Sequence, residues 1–521
     1  MVLPTIAEML EKNAREYPEE VALIELTPSQ NIRKQVTWKQ FDQDANRIAN
    51  YLIQKGIQKD DKVIHWMRNS INWLVAYFGI IKTGAWAVPL NFRFNAVDFK
   101  FCACIAEAKA VIFEDFFLKT VQEVKPPTVS EYIYLGPNLP EGMTSYDTVI
   151  KTGNATAPQI ELQPSDECGL YFTSGTTGEP KPVLLTHRNM SFAAEVEQRH
   201  HRQSHDDNFI LLPPLYHTGA KMHWFGSLIT GAKGTILTEF TPKNVLETVS
   251  NEKGTIVWLL VPWVHDILVA LDKGELKLSD YNLKSWRLMH IGAQPVPPSI
   301  VLHWREYFPA MDYDNNYGLS EATGPGVVHL GLENEFRAGA VGKVGCNWQL
   351  KIVDVNDNHD IPECMIGELC VKGDGVMREY YKNPTLTAKT IVDGWLHTGD
   401  MARIDKDGYV YLVDRKKDLI IVGGENIYPI EIESAIHSHP KVYDVGVIGI
   451  PDERLVEVIG AVIDVKPGEN LTEREIRAFI EGLLPKYKRP RKVIFDKVPR
   501  NPTGKIEKTK LRAKYGKSTL C

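Results

Sequence analysis

Between Tyr171 and Lys181 the chain reads YFTSGTTGEPK, an apolar and aromatic step followed at once by Thr173, Ser174, Gly175, Thr176, Thr177, Gly178 and then Lys181. The hydroxyls are hydrogen-bond donors. The glycines let backbone N–H groups approach an anion closely, and the lysine adds charge. That combination suits the phosphates of a nucleotide. It is not the G-x-x-x-x-G-K-[ST] phosphate loop, because Gly175 and Gly178 are too close together and Lys181 is followed by Pro182.

Such a loop needs a rigid frame, and the flanking sequence predicts one. TWKQFDQDANRIANYLIQKG places Phe41, Ala45, Ile48, Ala49 and Leu52 on one helical face, with Gly56 as its stop. DKVIHWM and WAVPLN read as strands on either side of the buried helix NWLVAYFGIIKTG. KGTIVWLLVP and SWRLMHIGA read as further buried strands. This alternation predicts an α/β fold: a large N-terminal domain of parallel-type sheets covered by helices. After about residue 400 short strands with Asp-Gly turns at 393–394 and 407–408 take over, followed by helices near Pro429 and near TEREIRAFIEGLLP. The expected organisation is residues 1–414 as the nucleotide-binding domain, 415–418 as a charged hinge, and 419–521 as a small mobile α+β domain.

At 521 residues the chain can bury a large core, and its 43% hydrophobic and 24% charged residues are those of a globular protein. A net charge of −6 argues against nucleic acid as a partner. From Glu481 to Cys521, however, 13 Lys and Arg face 3 Asp and Glu, which suits a segment that meets polyanionic ligands. Seven cysteines lack any Cys-x-x-Cys pair or zinc spacing, so reduced, mostly buried thiols in a cytoplasmic protein are expected. The most apolar window, IVWLLVPWVHDILVAL, contains Pro262, His265 and Asp266 and is too short for a membrane span.

Four further segments stand in order after the loop: NNYGLSEATG at 315–324, GWLHTGD at 394–400, DRKKDLIIVGGENIYPIEIE at 414–433 and PRNPTGKIEK at 499–508. Together with YFTSGTTGEPKPVLLTH they resemble the AMP-forming carboxylate-activating superfamily of acyl-CoA synthetases, peptide-synthetase adenylation domains and firefly-type luciferases. Pro182 departs from the glycine usual in that family. The resemblance implies ATP, coenzyme A and a small carboxylic acid as substrates and Mg²⁺ as cofactor. It implies that Thr173–Thr177, Gly178 and Lys181 cradle the β- and γ-phosphates, that Ser320 meets the α-phosphate, and that Glu321 ligates Mg²⁺. Tyr317 is expected to stack on adenine, with Asn315, Asn316 and Gly292, Ala293 and Gln294 around the ring. Asp400 is expected to hold the ribose and Arg415 a phosphate or the ribose. Lys505 is implied as the catalytic lysine of adenylation and Lys417 as the hinge. Gly423, Gly424 and Glu425 are implied to line the coenzyme A channel.

The expected acyl pocket is lined by His217, Met222, Trp224, Trp263 and Gly318. Acetate-specific relatives carry Trp where this chain has Gly318, so the expected acid is larger than acetate, with an aliphatic or aromatic tail. Coenzyme A is the first acceptor expected, since no carrier segment follows Lys505. A separate carrier protein is the alternative, and a non-catalytic adenylate sensor, suggested by Pro182 alone, is the third. The sequence leaves a homo-oligomer open.

Overall fold

The computed structural model describes residues 3–173, 180–293, 296–334, 337–355, 357–422, 425–452, 454–500 and 506–516. Among these residues two large sheets form the body of the N-terminal part. One has nine strands, running through Asp312–Leu319, Leu288–Gly292, Ile256–Leu260, Asn208–Leu211, Lys233–Leu237 and Val21–Thr27, all mutually parallel. The other has eight, with Glu167–Thr173, Trp86–Pro89, Lys62–Trp66, Ala110–Glu114 and Glu131–Leu135 parallel at its centre. Wholly apolar strands such as Ile256–Leu260 are what a parallel sheet covered on both faces requires.

The helices form where the periodicity predicts. Trp38–Gln54 starts at a Thr37/Gln40 capping box, buries Phe41, Ala45, Ile48, Ala49 and Leu52, and is followed by Gly56 at φ 84°. Ile71–Ile81 is buried nearly all round and packs on it so closely that a Cβ on Gly79 would lie 2.6 Å from Ile48 Cβ. Each such helix removes a mostly apolar face from water, which is the main stabilising term of the fold.

A third sheet, wholly antiparallel, spans residues 349–415 and departs from the parallel pattern expected of the N-terminal domain. Its Ile391–Val392 and Trp395–Ile404 strands meet at the expected two-residue turn, with Asp393 at φ 51° and Gly394 at φ 77°. A fourth sheet, with the helices Pro429–His437, Glu473–Glu481 and Lys508–Tyr515, forms the small C-terminal part around its own core.

No described helix is long and apolar enough to cross a membrane. The thiols are less uniformly hidden than expected: Cys102, Cys168 and Cys370 are buried, whereas Cys104 and Cys364 are exposed, and all are free.

Candidate active site

Strands Glu167–Thr173 and Lys181–Thr186 pair antiparallel with Thr173 opposite Lys181, so the segment of the predicted phosphate loop joins two paired residues. Ser174, Gly175, Thr176, Thr177 and Gly178 lie outside the described residues. Pro182 causes no break. Its carbonyl accepts the Tyr381 N–H at 2.8 Å, and a strand residue's N–H and C=O point to the same side. The missing donor therefore faces the two-residue edge strand Glu379–Tyr380, not the hairpin partner.

The Lys181 ammonium sits 5.3 Å from the centre of the Tyr380 ring, a cation–π distance. The Tyr380 hydroxyl donates to Glu321 Oε1 at 2.7 Å, and the Met377 N–H donates to the Glu321 carbonyl at 2.7 Å. Tyr380, which the sequence reading passed over, thus joins the base of the loop to the expected metal ligand. Burial raises the Tyr380 phenol pKa and the Glu321 carboxylate raises it further, keeping the hydroxyl a donor. Glu321 suits Mg²⁺: a hard carboxylate whose second oxygen remains for an ion that takes most of its other ligands from phosphate and water.

Ser320 and Glu321 occupy a short 3-10 turn delivered by the strand Asp312–Leu319 and ended by Thr323 at φ 64°. Ser320 Oγ lies 2.9 Å from the Oγ1 of Thr218, the first residue of the helix Thr218–Thr230. That helix end carries positive dipole character, so hydroxyl and dipole converge where an α-phosphate is expected.

On the same strand, the buried Tyr317 donates its hydroxyl to Asp400 Oδ2 at 2.6 Å, and Asp400 Oδ1 pairs with Arg415 Nε at 3.1 Å. Asp400 and Arg415 are register partners on adjacent strands of the antiparallel sheet. Burial raises the Tyr317 pKa and Asp400 adds to the rise, while Asp400 strengthens the Arg415 cation. Asn315 pairs with Ile291, donates its amide to the Ala340 carbonyl at 3.3 Å, and is followed by Asn316, whose buried Nδ2 has no protein partner. Gly292 ends the neighbouring strand: even a Cβ there would come no nearer than 3.8 Å to Asn316. Ala293 follows at φ 68°, and Gln294 lies outside the described residues. Gly292 and Asn316 thus face each other across adjacent strands, with Tyr317 next along the chain.

The acyl side needs correction. Gly318 sits at a register shift between Tyr317 and Leu319, and His217 caps the Thr218–Thr230 helix half-exposed, as a lining residue would. Trp224 does not line a pocket: it is wholly buried against the sheet, its Nε1 2.6 Å from where a Gly234 Cβ would lie. Met222 is likewise completely inside the core. Trp263 stacks on Phe240 at 4.8 Å at the margin of a second core cluster. His223, one helical turn after Gly219, is buried as well and packs on Trp258 and His290, with ring centres at 4.5 Å and 4.2 Å.

Arg415 ends the strand Val410–Arg415 and leads into the turn Lys416–Asp418, which contains Lys417. Asp414 Oδ2 accepts the Ile430 N–H at 2.9 Å, Lys416 pairs with Glu368 at 3.1 Å, and Arg512 pairs with Asp418 at 2.8 Å. Ties to both parts therefore flank Lys417. Glu425 opens the strand Glu425–Ile427. Gly423, Gly424 and Lys505 lie outside the described residues, although Arg500 and Ile506 on either side of Lys505 form a β-bridge.

Known proteins resemble this chain over nearly its whole length. Residues 10–381 match the AMP-binding enzyme family and residues 431–505 the AMP-binding enzyme C-terminal domain. The long-chain-fatty-acid–CoA ligase FadD13 of Mycobacterium tuberculosis is 31% identical over 98% of this chain and 99% of its own. The anthranilate CoA ligase AuaEII in complex with anthranoyl-AMP superposes with a TM-score of 0.89 at 26% identity, over 99% of this chain and 98% of that one. The o-succinylbenzoate CoA synthetase of Bacillus subtilis with ATP and magnesium ion superposes at 0.84 and 26% identity, over 97% and 99%. The chain belongs to the AMP-binding enzyme family and is an AMP-forming acid–thiol ligase.

Proposed function

We propose that this enzyme joins a carboxylic acid larger than acetate to coenzyme A in two half-reactions at one site. A carboxylate resists attack because it is already negative. Its oxygen first attacks the α-phosphorus of ATP, forming an acyl-adenylate and releasing pyrophosphate. The thiol of coenzyme A then attacks the acyl carbonyl, forming the thioester and releasing AMP.

The first step brings anions together and needs positive charge and oriented donors. Thr173 and Lys181 hold the foot of the phosphate loop. Ser320, beside Thr218 at the helix N-terminus, donates to the α-phosphate. Glu321, oriented by Tyr380, holds Mg²⁺, which neutralises charge on the phosphate oxygens when bound. Tyr317 and the Asn315–Asn316 edge take the adenine, Asp400 and Arg415 the ribose and phosphate, and Lys505 the carboxylate oxygen. The small domain then turns at Lys417 and offers Gly423, Gly424 and Glu425 to the pantetheine arm.

The observation that carries this reading is the convergence on Ser320 and Glu321: Thr218 from one side, Tyr380 and Lys181 from the other. Because Pro182 faces only the edge strand, it gives no support to a non-catalytic sensor. The test is pyrophosphate release with Mg-ATP across straight-chain, branched and aromatic acids, with and without coenzyme A. Turnover that requires coenzyme A and rises beyond acetate is expected. Release indifferent to coenzyme A would point to a carrier protein, and best activity on acetate would overturn the size assignment.

A further inference from the structure

Two sets of buried charges take no part in the half-reactions. In the first, the ring nitrogens of His329 lie 3.0 Å from Glu197 Oε1 and 2.9 Å from Asp314 Oδ2, so both carry hydrogen and the ring is an imidazolium. Burial alone would push its pKa down, but Glu197 and Asp314 outweigh it and hold it up at about 10. His223 Nδ1 joins this set, 2.7 Å from Glu197 Oε2. All its members lie within the large N-terminal part. The second set straddles the turn Lys416–Asp418.

Asp414 stands on the near side of that turn. It sits on the strand Val410–Arg415, opposite Met401 in the antiparallel sheet, and is 4% exposed. Its Oδ2 accepts the Ile430 N–H at 2.9 Å, and its Oδ1 accepts the Arg415 N–H at 2.7 Å. Ile430 is the second residue of the helix Pro429–His437, and the first N–H groups of a helix have no partner within it. Tyr428, which precedes that helix, makes no capping hydrogen bond. A Ser, Thr or Asp there would supply one. Here the acceptor comes instead from across the hinge, as a carboxylate at the positive end of the helix dipole.

Glu433 lies one turn further along the same helix. Its Oε1 accepts the Val447 N–H at 2.8 Å and is 3.0 Å from Lys508 Nζ. Lys508 opens the last helix, Lys508–Tyr515, and Arg512, one turn on, pairs with Asp418 Oδ1 at 2.8 Å. Burial would lower the Lys508 pKa, but Glu433, Asp414 and Asp418 outweigh it and raise it. Burial also raises the Asp414 pKa, and Lys508 with the two N–H donors opposes that rise. Three carboxylates thus act on one ammonium. Asp418, Glu433, Lys508 and Arg512 all follow Lys417 in the chain, and Asp414 alone precedes it. A turn of the backbone at Lys417 carries the others away together and leaves Asp414 behind.

We propose that Asp414 is a latch: it holds the small domain in the orientation seen here and must release the Ile430 N–H and Lys508 each time the domain turns at Lys417. It is a positioning residue, acting through the helix it caps and touching no substrate. The inference rests on the ligase reading and on its hinge.

The test compares wild type with Asp414→Asn, which keeps an acceptor for the Arg415 N–H but removes the charge that faces Lys508. Two single-turnover rates are read. One is pyrophosphate release with Mg-ATP and the most active acid of the panel. The other is thioester formation from the matching pre-made acyl-adenylate and coenzyme A. Their ratio is expected to change at least about fivefold, since loosening one orientation slows the step it serves and spares the other. Trypsin cleavage of the folded protein after Arg415, Lys416 or Lys417 is expected to quicken at least about threefold. Asp414→Ala, with no acceptor left, is expected to move both readouts further in the same direction. If either readout keeps its wild-type value, or both rates fall in parallel in a destabilised protein, the latch is overturned. Lys417→Pro stiffens the pivot itself and separates that failure from a failure of the hinge. A ratio that shifts in Lys417→Pro but not in Asp414→Asn removes the latch and keeps the hinge. A ratio that shifts in neither removes both, and absence of both half-reactions in wild type would overturn the ligase reading as well.

Discussion

The Tyr317 hydroxyl donates to Asp400 Oδ2 at 2.6 Å, which ties the NNYGLSEATG strand of the nine-stranded sheet to the GWLHTGD strand of the antiparallel sheet. The two motifs are far apart in sequence, and this contact makes them one wall. It also sets Asp400 between a phenol and the Arg415 guanidinium, so the carboxylate is already oriented when nucleotide arrives.

Removing that orientation should cost nucleotide affinity more than turnover. Tyr317→Phe loses one buried hydrogen bond to a charged group, on the order of 1.5–3 kcal/mol before its ring stacking is affected. The expected outcome is a KM for ATP raised about tenfold or more, with kcat reduced less, in steady-state assays. Asp400→Ala should be the more severe. An unchanged KM for ATP in both would remove the ribose assignment.

Tyr380→Phe should weaken the binding of magnesium without unfolding the edge strand. Partners that orient metal-binding groups typically contribute 10–100-fold in affinity. The half-saturating Mg²⁺ concentration for pyrophosphate release should rise at least about tenfold, read by titration at fixed ATP. Coincident wild-type and variant curves would show that Glu321 needs no such support.

Lys505→Ala should lose adenylation yet still convert a pre-made acyl-adenylate and coenzyme A to thioester. Rapid-quench assays of each half-reaction separate the two. Equal loss of both in a folded protein would count against a single site served by two domain orientations.

Lys221 presents an unusual cost. Its ammonium position is fully buried, without a hydrogen-bond partner, 4.3 Å from the Tyr171 ring centre and 5.6 Å from that of Tyr77. Burial pushes its pKa well below the usual lysine value. A depressed lysine destabilises the fold wherever the unfolded chain would be protonated, so its penalty shrinks as pH rises toward 10.5. Lys221→Met should therefore stabilise the protein at pH 7 by on the order of 1 kcal/mol or more, with a smaller gain at pH 10. Chemical denaturation at the two pH values decides it, and destabilisation at pH 7 would mean the amine has a role in the fold.

The sign is opposite for His329. Its pKa rises from 6.5 to about 10, so the stability it supplies is complete below 6.5 and is lost as pH climbs through about 10. The deficit of His329→Gln relative to wild type should be largest near pH 6. It should shrink by at most about 1.4 kcal/mol per pH unit above that. A deficit independent of pH would show that the ring is not an imidazolium.

Much of this was legible because local signals agreed with the fold. Five apolar positions at helical spacing, a glycine stop at Gly56 and Asp-Gly turns each marked an element by its own chemistry. The nucleotide half was legible for a related reason: its residues cluster in short motifs. The acyl side was not. Trp224 and His223 are neighbours in sequence, and only the helix's orientation on the sheet decides that Trp224 meets Gly234 while His223 meets Trp258. Tyr380 was hidden similarly, since an edge strand of two residues carries no periodicity. The buried cluster of Glu197, His201, His223, His290, Asp314 and His329 draws on five separate elements and one residue just beyond them, so no window of sequence contains it.

The caged imidazolium also gives the enzyme an interior beacon for magnetic resonance. Two ring protons clasped between carboxylates and sealed from solvent exchange slowly with water, and their resonances belong far downfield of the amide envelope. Because His223 shares Glu197 with that ring, any rearrangement around His223 would shift a pair of isolated lines, reporting from inside a molecule of this size without any added label.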